Sequence, residues 1–225
     1  QAGERVYADV AQAFVGQFGP KMTPGKLRAA MKRLGFADII EVAIGADLCA
    51  AQEAEDFVEE VPEKLPFMAT SCCPAWSMMA KKLFPEQANC ISMALTPMTL
   101  TARLVKHHQP GAKVAFIGPC AAKKLEAMRS DVRSEVDFVL TFEEMAGIFA
   151  ARHIDVETLK EEPHGINDAS TDGRNFAVSG GVAKAVVNVI NEKYPDREIK
   201  VANAEGLRDC RKLLMAAKAG KYNGY

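Results

Sequence analysis

Short strand-like and helix-like segments alternate through the second half of this 225-residue chain. Helices are predicted at about 141–151, 182–194 and 205–219, and Thr141 with Glu144 forms a capping-box pattern at the start of the first. Strands are predicted at Val114–Ile117, Asp137–Leu140, Phe176–Ser179 and Ile199–Ala202. Because parallel strands need long crossover connections, which helices provide, the alternation predicts an α/β fold.

The first half of the chain contains mostly helical patterns. Val6, Val10 and Phe14 are spaced as on one face of an amphipathic helix, which predicts a helix over Arg5–Phe18. The other segments predicted here are helices at Pro24–Leu34, about Asp47–Glu60, from Pro74 onward and about Thr96–His108, and strands at Ile39–Ile44 and Pro66–Ala69. We therefore predict two lobes, 1–110 and 111–225, of mixed, largely parallel sheets flanked by helices. The most polar stretch, Glu161–Arg174, is predicted to be a surface loop.

Composition restricts the partners and the compartment. The formal net charge of −1 gives no reason to expect nucleic acid or an anionic membrane as a partner. No apolar run approaches the roughly 20 residues that span a bilayer, and no signal peptide is recognised. The six cysteines are too sparse for a disulfide scaffold, so we interpret them as buried thiols and a few metal ligands. We expect a reducing, cytoplasmic location.

Two adjacent thiols stand in the segment Thr-Ser-Cys-Cys-Pro-Ala-Trp at 70–76, between a strand-like run and a helix that Pro74 begins. Neighbouring side chains of an extended segment point to opposite faces, so Cys72 and Cys73 are expected to have different roles. Cys120 ends another strand-like run. Ligands of α/β folds gather at the carboxyl ends of strands, so these thiols suggest an iron–sulfur site between strand ends.

The segments at 70–76 and 118–126 (Gly-Pro-Cys-Ala-Ala-Lys-Lys-Leu-Glu) resemble the first two signature motifs of the catalytic domain of iron-only (di-iron) hydrogenases. The similarity continues in the family's order through 137–141, 176–182 and 201–207. The resemblance implies a metal-cluster site in the cleft between two lobes. It also implies a six-iron cofactor, a 4Fe-4S cubane bridged through a cysteine to a di-iron subcluster, which interconverts hydrogen with protons and electrons.

The resemblance also assigns roles to individual residues. Cys73 and Cys120 match two of the four cysteines that hold the cubane, and Cys72 matches the thiol that passes protons to the di-iron centre. Lys123 matches a lysine that donates a hydrogen bond to an iron-bound cyanide. The residues implied to lie against the cofactor are Pro97, Met98, Pro119, Phe176 and Ala177.

A proton route to the surface is implied as well. Glu53, Ser92 and Asp56 match the residues that form it in the family. Carboxyl and hydroxyl groups within hydrogen-bonding reach of one another are what a proton relay requires.

The chain departs from the family pattern in ways that affect function. The third family motif, a Met-Ala-Cys-Pro-Gly-Gly-Cys-like segment with the other two cubane ligands, is expected after Tyr225, and the first residues begin partway through a family strand. We therefore expect an inactive fragment that binds no complete cluster. Gly118 stands where catalytic members of the family usually have Met, and Met98 stands where they usually have Gln. These two differences resemble those of a hydrogen-sensing branch of the family.

Two classes of function remain open from the sequence. One is reversible oxidation of molecular hydrogen, with electrons passing to a ferredoxin-like carrier or to accessory iron–sulfur domains. The other is non-catalytic, either a hydrogen sensor or an iron–sulfur assembly and interaction protein of the same ancestry. A zinc site is a more distant alternative, because four tetrahedral ligands cannot be assembled from these motifs.

Overall fold

The computed structural model describes residues 3–163 and 169–225. They form two compact units, each built from two stretches of the chain. Unit 1 is Gln1–Gly45 with Pro97–Ala169, and unit 2 is Ala46–Thr96 with Ser170–Tyr225. The boundary predicted at 110/111 falls inside unit 1, between a helix and the strand on which it packs.

Unit 1 is built on a parallel sheet with strand order β2-β1-β3-β4. The strands are β1 (Val6–Val10), β2 (Asp38–Glu41), β3 (Lys113–Gly118) and β4 (Phe138–Thr141). In register, Asp9 of β1 lies between Ile40 and Phe116. β3 is buried over nearly its whole length, as expected for a parallel strand covered on both faces.

Helices surround the strands of unit 1 and make up most of unit 2. Those in the described residues are α1 (Pro24–Leu34), α2 (Ala43–Glu60), α3 (Pro74–Leu83), α4 (Pro97–His108), α5 (Ala122–Ala127), α6 (Phe142–Ala151), α7 (Thr171–Arg174), α8 (Gly181–Lys193) and α9 (Gly206–Lys218). The Thr23 hydroxyl caps α1, and Gly35 ends it in the left-handed conformation. Thr141 and Glu144 form the predicted capping box of α6.

Unit 2 has helices and extended segments but, within its described residues, no sheet. A single parallel bridge joins Ala69 and Ile91. One apolar cluster lies between α2 and α8, and a second packs Phe67 against Leu214 of α9. The core of unit 2 is therefore made by helices and by the extended segments between them.

The helix predicted over Arg5–Phe18 is wrong. The segment contains β1 and a 3-10 helix at Gln12–Phe14. The spacing of Val6 and Val10 fits one helical face, but β1 is hydrogen-bonded to β2 on one side and to β3 on the other. Pairing with two distant strands outweighs the local periodicity.

The two strands predicted after residue 170 are also wrong. Phe176 and Ala177 lie in a 3-10 helix, Asn175–Ala177, and 199–202 has no strand partner in the described chain. An apolar extended run becomes a strand only where another strand can hydrogen-bond to it, and its own sequence does not reveal that partner.

Smaller differences concern the ends of segments. The predicted strand Ile39–Ile44 is shorter because α2 begins at Ala43, and Pro66–Ala69 contributes only the bridge at Ala69. The predicted surface loop Glu161–Arg174 contains α7 and otherwise lies partly outside the described residues.

The α/β fold class and most helices are confirmed. α1, α4, α6, α8 and α9 begin and end within one residue of their predicted bounds, and α3 begins at Pro74. β3 and β4 lie where strands were predicted. In the part of the chain that the structure describes, no helix combines the length and the apolar character needed to cross a membrane.

Candidate functional site

The Cys-Cys segment of unit 2 forms the turn before α3. Cys73 is the N-cap residue of α3, and Pro74 takes the first helical position, where its missing N–H costs no hydrogen bond. The indole N–H of Trp76 donates to the Thr70 carbonyl over 2.8 Å, which ties the segment to the helix that follows. Cys73 is exposed and Cys72 is half-buried, so the neighbouring thiols have different surroundings.

A buried carboxylate contacts the Cys-Cys segment. Glu53 on α2 is 0% exposed, and its Oε1 accepts a hydrogen bond from the Ser71 backbone N–H over 3.4 Å. Burial raises the pKa of Glu53 to about 7, although hydrogen bonds from Ser92 and Ser71 oppose the rise. Its Oε2 has no hydrogen-bond partner among the described residues. This carboxyl group can therefore both hold and release a proton near neutral pH.

Ser92 reaches Glu53 because two extended segments lie side by side in unit 2. The Ser92 backbone N–H donates to the Ala69 carbonyl over 2.8 Å, just before the Cys-Cys segment. Ser92 is buried, and its side chain opposes the rise of the Glu53 pKa. Asp56, which lies on the same helix as Glu53, adds its charge to the causes that raise the Glu53 pKa. The structure thus brings together the predicted relay residues of unit 2.

The second cysteine motif follows β3 in unit 1. Pro119 is exposed and Cys120 is half-buried. The Cys120 Sγ accepts a hydrogen bond from the Ala122 N–H, at the start of α5, over 3.4 Å. This thiol therefore lies at the carboxyl end of a central parallel strand, the position where α/β folds place ligands.

Lys123 is held by an ion pair within α5. Its ammonium donates to Glu126 Oε2 over 2.7 Å, and the two side chains are only 13% and 3% exposed. Removing one partner of such a buried pair leaves the other charge uncompensated, which is strongly destabilising. Glu126 was not among the predicted site residues, although its spacing of three residues from Lys123 is typical of paired charges on a helix.

The residues predicted to lie against a cofactor have varied exposure. Pro97 and Met98 are buried at the start of α4 in unit 1. In unit 2, Phe176 is half-buried against the α2–α8 cluster, whereas Ala177 is exposed. Gly118 is buried at the end of β3, and a Cβ there would lie 2.5 Å from the Phe116 ring. Their contacts with a cofactor stay predictions.

Unit 2 also contains a largely apolar cavity of about 470 Å³. The residues that line it include Cys72, Cys73 and Cys210. Burial raises the pKa of the Cys210 thiol, and the nearby charge of Cys73 adds to the rise. Cys210 was predicted only as one of six cysteines that are buried thiols or metal ligands, and its position in this cavity wall was not predicted. The available signal was its helical spacing from the apolar Leu213 and Leu214.

A second buried carboxylate, Asp9, was missed in unit 1. It lies in the middle of β1, is 0% exposed, and neither of its oxygens has a hydrogen-bond partner in the described chain. Burial raises the pKa of Asp9 well above its ordinary value. Asp9 was missed because this segment was predicted to be a helix. In a strand, its position between the apolar Ala8 and Val10 would have indicated a buried carboxylate.

The thiols suit iron–sulfur chemistry individually but do not form a whole ligand set. Neither Cys73 nor Cys120 is in a disulfide, and both are at least partly exposed. Across residues 3–163 and 169–225, no three His, Cys, Asp or Glu side chains are placed to bind one metal ion. A cubane requires four ligands. The described residues alone therefore do not fit the complete cluster, and a cluster shared by Cys73 and Cys120 stays a prediction.

The parallel sheet with a Pro-Cys motif after a central strand, and the Cys-Cys-Pro turn beside a buried glutamate, fit the class of iron–sulfur protein that the sequence motifs resemble, the hydrogenases. The comparison with protein families agrees with this class. The chain belongs to the family described as iron only hydrogenase large subunit, C-terminal domain, which matches residues 4–225.

Proteins similar to this chain include both hydrogenases and assembly factors. Iron hydrogenase 1 of Clostridium pasteurianum is 28% identical over 97% of this chain and 41% of its own length. Cytosolic Fe-S cluster assembly factor NAR1 of Kluyveromyces lactis is 24% identical over 72% of this chain and 36% of its own. The solved FeFe-hydrogenase HydA(deltaEFG) is 26% identical, with a TM-score of 0.72 over 91% of this chain and 56% of that one. The chain spans about half the length of the curated relatives that it matches.

Proposed function

We propose that this chain is part of a hydrogenase that catalyses the reversible oxidation of molecular hydrogen to protons and electrons. The observation that carries the proposal is the buried Glu53, whose pKa is about 7 and which is hydrogen-bonded to the residue before Cys72. Hydrogen conversion needs a group that gives and takes protons near neutral pH, away from bulk water. An exposed carboxylate has its ordinary pKa, so it would remain ionised near neutral pH and could not act as this proton donor and acceptor.

The proton steps assigned to this chain involve Cys72, Glu53 and Ser92. During hydrogen oxidation Glu53 receives the proton that the Cys72 thiol releases, and during hydrogen evolution it returns one. The Ser71 N–H holds Oε1 of the carboxylate in place. The Ser92 hydroxyl can donate and accept at the same time, so it can exchange the proton with Glu53 on the outward side.

The remaining residues are proposed to hold the cofactor. Cys73 and Cys120 would each supply one thiolate to a 4Fe-4S cubane, which needs two further ligands. Lys123, restrained by Glu126, would donate toward an anionic ligand of the di-iron subcluster. When bound, the cofactor supplies the chemistry that splits hydrogen. The residues proposed to pack around it are Pro97, Met98, Pro119, Phe176 and Ala177.

The decisive experiment compares Glu53→Gln with the wild type in the whole protein carrying its cofactor. Glutamine keeps the shape and the hydrogen-bonding capacity but cannot titrate, so hydrogen evolution from a reduced viologen should fall about 100-fold or more. Glu59→Gln, an exposed change on the same helix, is the matched control and should retain activity. A retained rate in the Glu53 variant would exclude the relay.

A second measurement does not depend on the cofactor. Infrared spectroscopy of the chain alone should detect a protonated carboxyl band that disappears near pH 7 and is missing in Glu53→Gln. If this band instead titrates near the ordinary value of 4.5, the observation that carries the proposal is lost.

The second candidate function is that of a non-catalytic iron–sulfur protein, either a hydrogen sensor or an assembly protein. It is favoured by the similarity to NAR1 of Kluyveromyces lactis. It is also favoured by Gly118, because the Phe116 ring fills the space in which the resemblance implies a methionine. A whole protein with a stable cubane absorption, no hydrogen evolution and no response to Glu53→Gln would support this candidate over the first.

The proposed partners follow from the proposed reaction. They are molecular hydrogen, protons and a ferredoxin-like electron carrier or accessory iron–sulfur domains, and neither nucleic acid nor a membrane is among them. We also propose a cytoplasmic location, which the sparse cysteines support. Cell fractionation with an antibody against the chain would test the location.

A further inference from the structure

Cys73 and Cys210 are two thiols in the wall of one cavity of unit 2. Cys73 stands at the N-cap of α3, and Cys210 lies in the first half of α9. These two helices pack against each other. The charge of Cys73 acts on the Cys210 thiol and adds to the rise of its pKa, as expected for neighbouring groups. Both cysteines therefore line one cavity, on helices that pack together.

The two thiols differ in access to solvent. Cys73 is exposed, so a dissolved oxidant can reach it. Cys210 is half-buried, with its Sγ 4.0 Å from the Ala204 carbonyl oxygen, and it is therefore less accessible than Cys73. An exposed thiol that reacts first and a protected neighbour that resolves the product are the arrangement found in redox-sensitive proteins. Cys90, by contrast, is buried in an apolar cluster.

We propose that Cys73 and Cys210 form a reversible disulfide when the protein meets hydrogen peroxide. The Cys73 sulfur attacks the O–O bond, becomes a sulfenic acid and releases one water. The Cys210 thiol then attacks that sulfur and displaces the hydroxyl group as a second water. Two thiols and one peroxide thus give one disulfide and two waters, and the peroxide takes up the two electrons. A dithiol reductant reverses the reaction by thiol–disulfide exchange.

The disulfide would remove Cys73 from metal binding, since only a thiolate can act as a ligand. Oxidation would therefore prevent iron from loading at a sulfur that we assign to the cubane, and it would protect that sulfur from irreversible oxidation. The modification needs neither hydrogen turnover nor a bound cofactor. Its test is thus independent of whether the protein is a hydrogenase or an assembly protein.

The experiment uses the chain as it exists, reduced and free of iron. It is treated with hydrogen peroxide, the remaining thiols are alkylated, and tryptic peptides are compared by mass spectrometry before and after reduction. We expect two of the six thiols to escape alkylation and a linked pair of peptides that contains 72–73 and 210. Iron and sulfide supplied afterwards should bind less well than to the untreated chain, and a dithiol should restore binding.

Single substitutions identify the partners. Cys73→Ser and Cys210→Ser should each abolish the linked peptides, whereas Cys72→Ser and the buried control Cys90→Ser should retain them. Circular dichroism checks that each variant is folded. Linkage that persists in Cys73→Ser, linkage only between chains, or six alkylated thiols after both peroxide and diamide would each overturn the proposal, because diamide oxidises any thiol pair within reach.

Discussion

Units 1 and 2 each bury one carboxylate completely, but the two carboxylates are held in different ways. In unit 1, Asp9 lies in a strand paired on both sides, and neither of its oxygens has a partner among the described residues. In unit 2, Glu53 lies on a helix and faces irregular segments that offer the Ser71 N–H and the Ser92 hydroxyl. Burial raises both pKa values, and hydrogen bonds partly oppose the rise only at Glu53.

The comparison indicates what each architecture allows. A parallel sheet uses its backbone N–H groups in its own ladder, so it has few to offer a carboxylate on a central strand. Extended segments outside a sheet keep such groups available for side chains. A carboxyl group that titrates near neutral pH needs burial together with a few donors, and unit 2 supplies both at Glu53.

Replacing Asp9 by Asn should change the pH dependence of stability most. The folded-state pKa is raised, so the contribution of Asp9 is fully present below the ordinary value of 3.8 and is lost as the pH rises toward the folded value. Asparagine does not ionise, so the variant should lose less stability on alkalinisation than the wild type. Urea unfolding at about pH 4 and about pH 8 measures the difference. An unchanged pH slope would show that Asp9 is not held neutral.

Replacing Glu53 by Gln should change the pH dependence of stability in the same direction as Asp9→Asn, but by less. The raised pKa means that stability is lost between the ordinary value of 4.5 and the folded value of about 7. The shift corresponds to about 3 kcal/mol, which Glu53→Gln should recover at about pH 8 but not at about pH 4. The same urea series tests this, with Glu59→Gln as the control. An effect larger than that of Asp9→Asn would contradict the role given to the Ser71 and Ser92 hydrogen bonds.

The next prediction concerns close backbone packing in unit 2. A Cβ at Gly181, the first residue of α8, would lie 1.8 Å from the Asn175 carbonyl oxygen, so Gly181→Ala should cost about 2 kcal/mol or more. Among the described residues, and apart from its chain neighbours and the backbone of its own helix, no atom lies within 4 Å of the Cβ position of Gly147 on α6 of unit 1. Gly147→Ala should instead stabilise by about 0.5–1 kcal/mol, because alanine favours the helix. Thermal unfolding of both variants measures the contrast, and equal shifts would contradict it.

The smallest effect on stability is expected at the N-caps of two helices, α6 and α9. Thr141 caps α6 of unit 1 with its side chain, so Thr141→Ala should cost about 1 kcal/mol. Glu205, the N-cap residue of α9 in unit 2, makes no side-chain cap hydrogen bond. Glu205→Ala should therefore leave the free energy of unfolding nearly unchanged. If Glu205→Ala lowered the free energy of unfolding as much as Thr141→Ala, an interaction other than the side-chain cap would have to stabilise these helix starts.

Features that depend on neighbouring residues were predictable from the sequence. The caps at Thr23 and Thr141 and the proline at position 74 set helix starts by contacts within a few residues. The apolar run of β3 is long enough to identify a buried strand. The motifs around Cys73 and Cys120 are equally local, and their residue order alone is specific enough to indicate the family.

Features that depend on remote partners were not predictable. β1 is a strand because β2 and β3 pair with it, and 199–202 is not a strand because no partner lies beside it in the described chain. The pKa of Glu53 depends on its burial, which raises it, and on Ser92 and Ser71, which lie far away in sequence and oppose the rise, and no local pattern reveals any of these. For the same reason the position of Cys210 beside Cys73 could not be deduced.

The interleaving of the two units has a consequence for synthesis on the ribosome. When the chain up to residue 96 has emerged, β3 has not yet been synthesised, so the edge of β1 that β3 will occupy lacks this strand. Neither unit can complete its core until a distant part of the chain has been translated. The nascent protein therefore exposes an unpaired strand edge and the Cys-Cys segment for an extended period, a state in which aggregation is favoured and chaperones are expected to act.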